Sequence, residues 1–100
     1  MHQAMLARAV LDTVVERSAV LGVTRVAAVH VLLGEDDGHT EEALRYAWSE
    51  VSVGSVAEGA QFVIERTPGD GLRLAAMDVE RRGEAPDQQT HSTGSGDRLA

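Results

Sequence analysis

The first three residues of the chain, Met1, His2 and Gln3, carry nitrogen atoms at a spacing that could chelate a metal ion. The Met1 amine, the His2 backbone nitrogen and the His2 imidazole can close fused rings around one ion, with the Gln3 amide as a further nitrogen. Nitrogen ligands in a plane suit Ni(II) or Cu(II) and require no thiolate. Because short motifs often occur by chance, the alternative is an exposed histidine at a flexible chain end.

Another histidine, His39, lies in the acidic segment GEDDGHTEE at positions 34–42. Its carboxylates belong to Glu35, Asp36, Asp37, Glu41 and Glu42. If this segment folds toward residue 2, His39 or a carboxylate such as that of Glu41 could add a ligand to the metal. The alternative is a solvated loop that caps the following helix. Of the other histidines, His30 is expected to be a half-buried structural side chain in a strand or an interface residue, and His91 to have no role.

Residues suited to catalysis are scarce, and no catalytic residue is predicted. The chain contains no cysteine, which excludes thiolate zinc sites, iron–sulfur clusters and disulfides. None of Ser18, Ser49, Ser52 and Ser55 has the flanking glycines of a nucleophile elbow. The segment GSVAEGA at positions 54–60 lacks the lysine of a phosphate-binding loop. An enzyme is therefore the weakest hypothesis for this chain.

The composition predicts a single small domain with an acidic surface. The chain has 100 residues, 43% of them hydrophobic, and a formal net charge of −7 with no lysine. This charge argues against a nucleic-acid partner, which requires clustered basic residues. No apolar run approaches the ~20 residues that span a bilayer, and charged residues interrupt the N-terminal apolar ones. We expect a soluble, cytoplasmic protein without a membrane partner.

Hydrophobic periodicity predicts the elements that must position these residues. Apolar residues at helical spacing predict helices over 4–21 and 41–53, with Thr40 as the N-cap of the second. Alternating residues predict strands over 24–33, 60–67 and 72–80. The segment PGDG between the last two strands favours a tight turn, and hence an antiparallel hairpin. Residues 83–100 are polar and aperiodic, which predicts a disordered tail.

The order helix, strand, helix, strand, strand indicates an α+β fold within residues 1–82. Two amphipathic helices need an apolar surface, and one face of a three-stranded sheet supplies it. The other sheet face also carries some apolar residues, so it could support self-association into a homo-oligomer.

Several of these segments together resemble the HypA/HybF family of hydrogenase nickel-incorporation proteins. MHQAMLARAVLD resembles the family opening MHE-x-S-L-A-x-x-[IL], and TRVAAVHVLLGE resembles its strand RV-x-x-V-x-L-x-[IL]-G-E. EEALRYAWSEVSVGSVAEGAQFVIE is similar to PEALRFAFE…GT-x-AEGA-x-L-x-I-E, and LRLAAMDVE resembles the closing strand. The motifs occur in order over residues 1–80, which makes their combination far more specific than any one of them.

The resemblance implies a nickel metallochaperone that delivers Ni(II) during maturation of [NiFe] hydrogenase and, in some bacteria, of urease. It implies a nickel-binding GTPase and the hydrogenase large-subunit precursor as partners. The family holds nickel, as a transient cargo, with its N-terminal Met-His-Glu segment, through the histidine and backbone nitrogens. Met1, His2 and Gln3 are the matching positions here.

The chain departs from the family pattern in two ways. Gln3 replaces a glutamate, and an amide side chain keeps an oxygen acceptor but carries no charge. The two CxxC pairs that form the family's zinc ribbon are absent, so no structural zinc is expected and the turn at 67–71 takes the ribbon's place. Two hypotheses remain: a nickel carrier without the ribbon, or a metal-free module that binds the GTPase or the hydrogenase precursor. For a nickel carrier, affinity should fall as pH drops, since the ligands must lose protons.

Overall fold

The computed structural model describes residues 2–80 and 98–99, with side chains over 3–80. The elements along the chain are α1 (His2–Leu21), β1 (Arg25–Gly34), α2 (Glu41–Val51), β2 (Gln61–Thr67), β3 (Leu72–Glu80) and β4 (Arg98–Leu99). Of the tail predicted to be disordered over 83–100, residues 83–97 and 100 lie outside the described part of the chain. Arg98 and Leu99 pair with β3 as a two-residue strand.

The predicted α+β fold with the order α-β-α-β-β is confirmed, and both helices pack on one face of the sheet. Alternation along β1 places Val29, Val31 and Leu33 on that face, each no more than 1% exposed. In α1 the buried residues recur at helical spacing. The core between the helices and the sheet includes Val10, Leu11, Val14, Leu44, Trp48, Phe62, Met77 and Val79.

The predicted hairpin between β2 and β3 is wrong, because β1 lies between these two strands. The sheet order is β2-β1-β3-β4, and β1 pairs parallel with β2 and antiparallel with β3. β1 is the most apolar strand. In the central position its two edges are covered by β2 and β3, and its core face is covered by the helices. β2 carries the exposed Glu65 and Arg66, which suit an edge strand. The helix between β1 and β2 provides the long crossover that a parallel pair requires.

The turn signal at 68–71 is correct, but this turn crosses over the end of β1 instead of joining neighbouring strands. The backbone N–H of Gly34 donates to the Gly71 carbonyl, that of Glu35 to Thr67 and that of Asp36 to Gly69, each at 2.8 Å. β2 and β3 lie two strand spacings apart, about 10 Å, and four residues can extend over that distance. The short connection is therefore bound to the end of β1 by backbone hydrogen bonds.

Thr40 caps α2 as predicted, and its removal should have a measurable cost. The Thr40 hydroxyl accepts a hydrogen bond from the Ala43 backbone N–H at 3.0 Å. We expect Thr40→Ala to lower the free energy of unfolding by about 1 kcal/mol, measured by urea denaturation. Thr40→Ser, which keeps the hydroxyl, should restore most of the loss. Equal denaturation midpoints for Thr40→Ala and the unaltered protein would contradict this assignment.

On the sheet face away from the helices, His30 is half-buried, as the sequence predicts. Its Nε2 atom lies 3.2 Å from the Asp78 carboxylate on the neighbouring strand. His30 thus has a structural partner in Asp78 on the neighbouring strand. Neither described helix is both long and apolar enough to cross a lipid bilayer.

Candidate metal centre

The N-terminal end of α1 contains the backbone nitrogens of the predicted chelate. The helix starts at His2, so His2 and Gln3 lie in its first turn. The first N–H groups of a helix have no acceptor within the helix. Binding a metal at these amides would therefore break no hydrogen bond of the helix. Met1 and the His2 side chain lie outside the described part of the structure, and the chelate stays a prediction.

The loop before α2 holds His39 against Asp37. The His39 backbone N–H donates to Asp37 Oδ1 at 3.1 Å, and His39 Nδ1 is hydrogen-bonded to the same oxygen. Gly38, between them, has φ of 92°, a left-handed conformation that glycine adopts without steric cost. Only 9% of the Asp37 side chain and 23% of the His39 side chain are exposed. The loop therefore presents a histidine whose ring is fixed by a carboxylate.

The pKa of Asp37 lies below its usual range, chiefly because the His39 side chain donates a hydrogen bond to the carboxylate. The backbone N–H and charge of His39 and the backbone N–H of Gly71 act in the same direction, and burial opposes them. Asp37 is therefore ionised at neutral pH. Since an ionised carboxylate accepts only, His39 donates to Asp37 from Nδ1.

A cleft of about 310 Å³ lies between the start of α1 and this loop. Met5 and Leu6 line one side, and Asp37 and His39 line the other. Position 2 is three and four residues before Met5 and Leu6, which puts it on the same face of α1, one turn earlier. The fold thus places His39 next to the end of α1 where the predicted chelate begins.

Glu41 has a different position from His39. It is exposed in the first turn of α2, and the described lining of the cleft does not include it. Its charge suits the positive end of that helix. Across the residues whose side chains are described, no group of three or more His, Asp or Glu could hold a metal. Asp37 and His39 would therefore need additional ligands to form a complete metal site.

Asp37 is the residue of this cleft that the sequence did not single out from its acidic neighbours. The available signal was the spacing Asp-Gly-His, because an Asp side chain commonly accepts a hydrogen bond from the backbone two residues later. The approach of the loop to α1 has no local signal, since it depends on how both elements pack on the sheet.

Comparison with known proteins supports the resemblance seen in the sequence motifs. Residues 1–72 match the model of the HypA family, described as hydrogenase/urease nickel incorporation, metallochaperone. The match includes the N-terminal segment, both helices, β1, β2, and the loops at 35–40 and 68–71.

Individual relatives are similar over the same part of the chain. The hydrogenase maturation factor HypA of Thermococcus gammatolerans is 37% identical over 65 residues, which cover 65% of this chain and 47% of the relative. HypA of Pyrococcus furiosus is 38% identical over 65 residues, with coverage of 65% and 47%. HypA of Chlorobium luteolum is 32% identical over 71 residues, with coverage of 71% and 61%. The chain spans about half the length of the first two relatives, and it belongs to the HypA family.

Proposed function

We propose that this protein binds Ni(II) at its N-terminus and carries it for the maturation of [NiFe] hydrogenase. The ligands are the Met1 amine, the imidazole and backbone nitrogen of His2, and the backbone nitrogen of Gln3. The observation that carries this proposal is the start of α1 at His2, inside the family match, because it leaves the two backbone nitrogens outside the helical hydrogen bonding. Such a nitrogen set suits Ni(II) in a plane.

The substitution of Gln3 for glutamate is compatible with this ligand set. The proposed ligand is the backbone nitrogen of residue 3, which does not depend on the side chain. The Gln3 side chain is half-exposed on the first turn of α1. Without the glutamate charge, this end of α1 presents a neutral side chain to a partner protein. We therefore expect Gln3 to affect partner binding more than nickel affinity.

The proposed role requires no zinc ribbon between β2 and β3. Backbone hydrogen bonds from β1 to the 68–71 turn and to Thr67 close that end of the sheet without a metal. We propose that the domain is self-supporting and acts as a non-catalytic carrier in the cytoplasm. Its proposed partners are a nickel-binding maturation GTPase and the hydrogenase large-subunit precursor, with urease as the other candidate target.

The N-terminal amine provides the direct test of the proposal. Protein with a native N-terminus, with Met1 verified by intact mass, is titrated with Ni(II) by calorimetry beside a variant that carries Gly-Ser-Gly before Met1. We expect the extension to weaken binding about 100-fold or more, since loss of even an indirect supporting contact costs about 10–100-fold. Three residues are added because a single one would move histidine to position 3 and create another planar chelate from the new amine.

The control for folding is the thermal unfolding of both proteins without metal, which should coincide. Equal nickel affinity of the native and extended proteins would rule out the N-terminal ligand set. Absence of binding in both would favour a metal-free module that binds the GTPase or the hydrogenase precursor. The specific observation in favour of that second function is Gln3 at the position where the resembled motif has glutamate.

A further inference from the structure

The outer edge of β3 is paired only near its end in the described part of the chain. β1 occupies one edge of β3, and β4 pairs with Met77 and Asp78 on the other. The N–H and C=O groups along an unpaired strand edge can bind a further strand. The pairing of β4 shows that this edge accepts a strand, and among the described residues nothing pairs with the stretch 72–76 beside it.

A groove of about 290 Å³ runs beside this open stretch, between α1 and β3. Val10 lines it from α1, and Leu72 and Leu74 line it from β3. Both leucines pack against the core but are only partly buried, so they leave apolar surface next to the strand edge. Since alternate residues of a strand share a face, Arg73 takes the other face of the sheet at the same edge.

Two arginines give this edge a local positive charge in a chain whose net charge is −7. Arg17 borders the groove on α1 and Arg73 borders it on β3, and both are exposed. The described lining of the groove includes no carboxylate. An acidic partner is therefore attracted to this edge, whereas the net charge of the whole surface repels it.

We propose that the open edge of β3 binds an extended peptide of a partner protein, in which apolar and acidic residues alternate. The peptide adds a strand beside 72–76 through backbone hydrogen bonds. Its apolar residues lie in the groove against Leu72 and Leu74, and its acidic residues lie on the face of Arg73. The inference does not depend on nickel binding, because the groove shares no described lining residue with the cleft at the start of α1.

Two other arrangements fit the residues less well. A second copy of this chain, paired at the same edge, would bring the arginines of both copies together, and like charges on neighbouring strands oppose pairing. The other edge strand, β2, carries Glu65 and Arg66, whose charges offset each other. The Phe62 carbonyl on β2 also already accepts a hydrogen bond from the Arg45 side chain. An acidic peptide strand therefore favours β3.

The test uses a synthetic peptide, fluorescein-TVEVDVT-amide, whose binding to the full chain is followed by fluorescence anisotropy. We expect the double variant Arg17→Gln, Arg73→Gln to weaken binding about 10-fold, since each contact between opposite charges contributes a factor of about 3. The matched control is the double variant Arg8→Gln, Arg66→Gln. It removes the same charge from two exposed positions outside the described lining of the groove, and it should bind like the unaltered protein.

Strand pairing itself is tested with two N-methylated peptides, one methylated at two of its valines and the other at its two acidic residues. The N–H groups of alternate strand residues point to the same edge, and an added strand uses only one of its edges. One methylated peptide should therefore lose binding while the other retains it. Amide NMR shifts of the labelled protein locate the contact, and we expect changes over 72–76 and none over β2.

Each contrary result overturns the proposal at a different step. No binding of the unmodified peptide, or equal binding by the two double variants, rejects recognition of an acidic strand by the arginines. Binding of both methylated peptides, or of neither, rejects pairing at the strand edge. Shift changes confined to β2 place the peptide on the wrong edge. Shifts over 72–76 that depend on protein concentration without peptide identify a second copy as the occupant instead.

Discussion

Replacement of His2 by alanine is expected to lower the affinity for Ni(II) about 100-fold or more, since it removes a direct ligand and even an indirect contact is worth about 10–100-fold. The imidazole is the only side-chain ligand in the proposed N-terminal set. Its loss leaves the amine and backbone nitrogens, which must then deprotonate without the imidazole to anchor the ion. The measurement is calorimetric titration at fixed pH and buffer, because nickel binding releases protons.

The matched control for His2→Ala is His91→Ala, which removes another histidine from a part of the sequence with no predicted role. It should bind nickel like the unaltered protein. Thermal unfolding without metal should be the same for all three proteins. If His2→Ala and His91→Ala bind equally well, His2 is not a ligand, whatever the family resemblance implies.

Periodicity was sufficient to predict both helices and the strands β1, β2 and β3, but not the order of the strands or the two-residue β4. The alternation of Val29, Val31 and Leu33 identifies a strand and its core face from local sequence alone. The partners of that strand depend on burial across the whole domain. β1 occupies the centre because it is the most apolar strand, and the PGDG turn indicates only that the chain reverses. Turn residues fix backbone dihedral angles and do not specify whether the next strand pairs with the previous one.

The candidate site, like the fold, could be predicted from the sequence only in part. His2 could be singled out because its chemistry depends on adjacent atoms of the chain, and His39 because it stands out in an acidic loop. The contact between Asp37 and His39 depends on the backbone at Gly38 and on the neighbouring Gly71, whose N–H also contacts Asp37. Gly71 is remote in sequence and reaches the loop only because the 68–71 turn crosses the end of β1. A single sequence gives no local signal for that crossing.

The residue that permits this crossing is Gly34, and Gly34→Ala should be strongly destabilising. A Cβ atom at this position would lie 2.3 Å from the Asp70 Cα and 2.4 Å from the Gly69 carbonyl oxygen. Both are backbone atoms, so no side-chain rotation relieves the clash. Displacing the 68–71 turn threatens the three hydrogen bonds that join the end of β1 to Thr67, Gly69 and Gly71. At about 1 kcal/mol each, their loss predicts a decrease of about 3 kcal/mol in the free energy of unfolding.

Gly54→Ala separates this clash from the general cost of replacing glycine. Gly54 has φ of 80°, and a Cβ atom added there would meet no atom within 4 Å, so its substitution costs only backbone strain, about 1–2 kcal/mol. Urea denaturation should therefore rank Gly34→Ala as the less stable variant. Because the Gly71 backbone N–H also contacts Asp37, the same displacement should loosen the Asp37–His39 pair. Equal stability of the two variants would show that the turn can move away from Gly34 without loss, and that its hydrogen bonds do not hold the end of the sheet together.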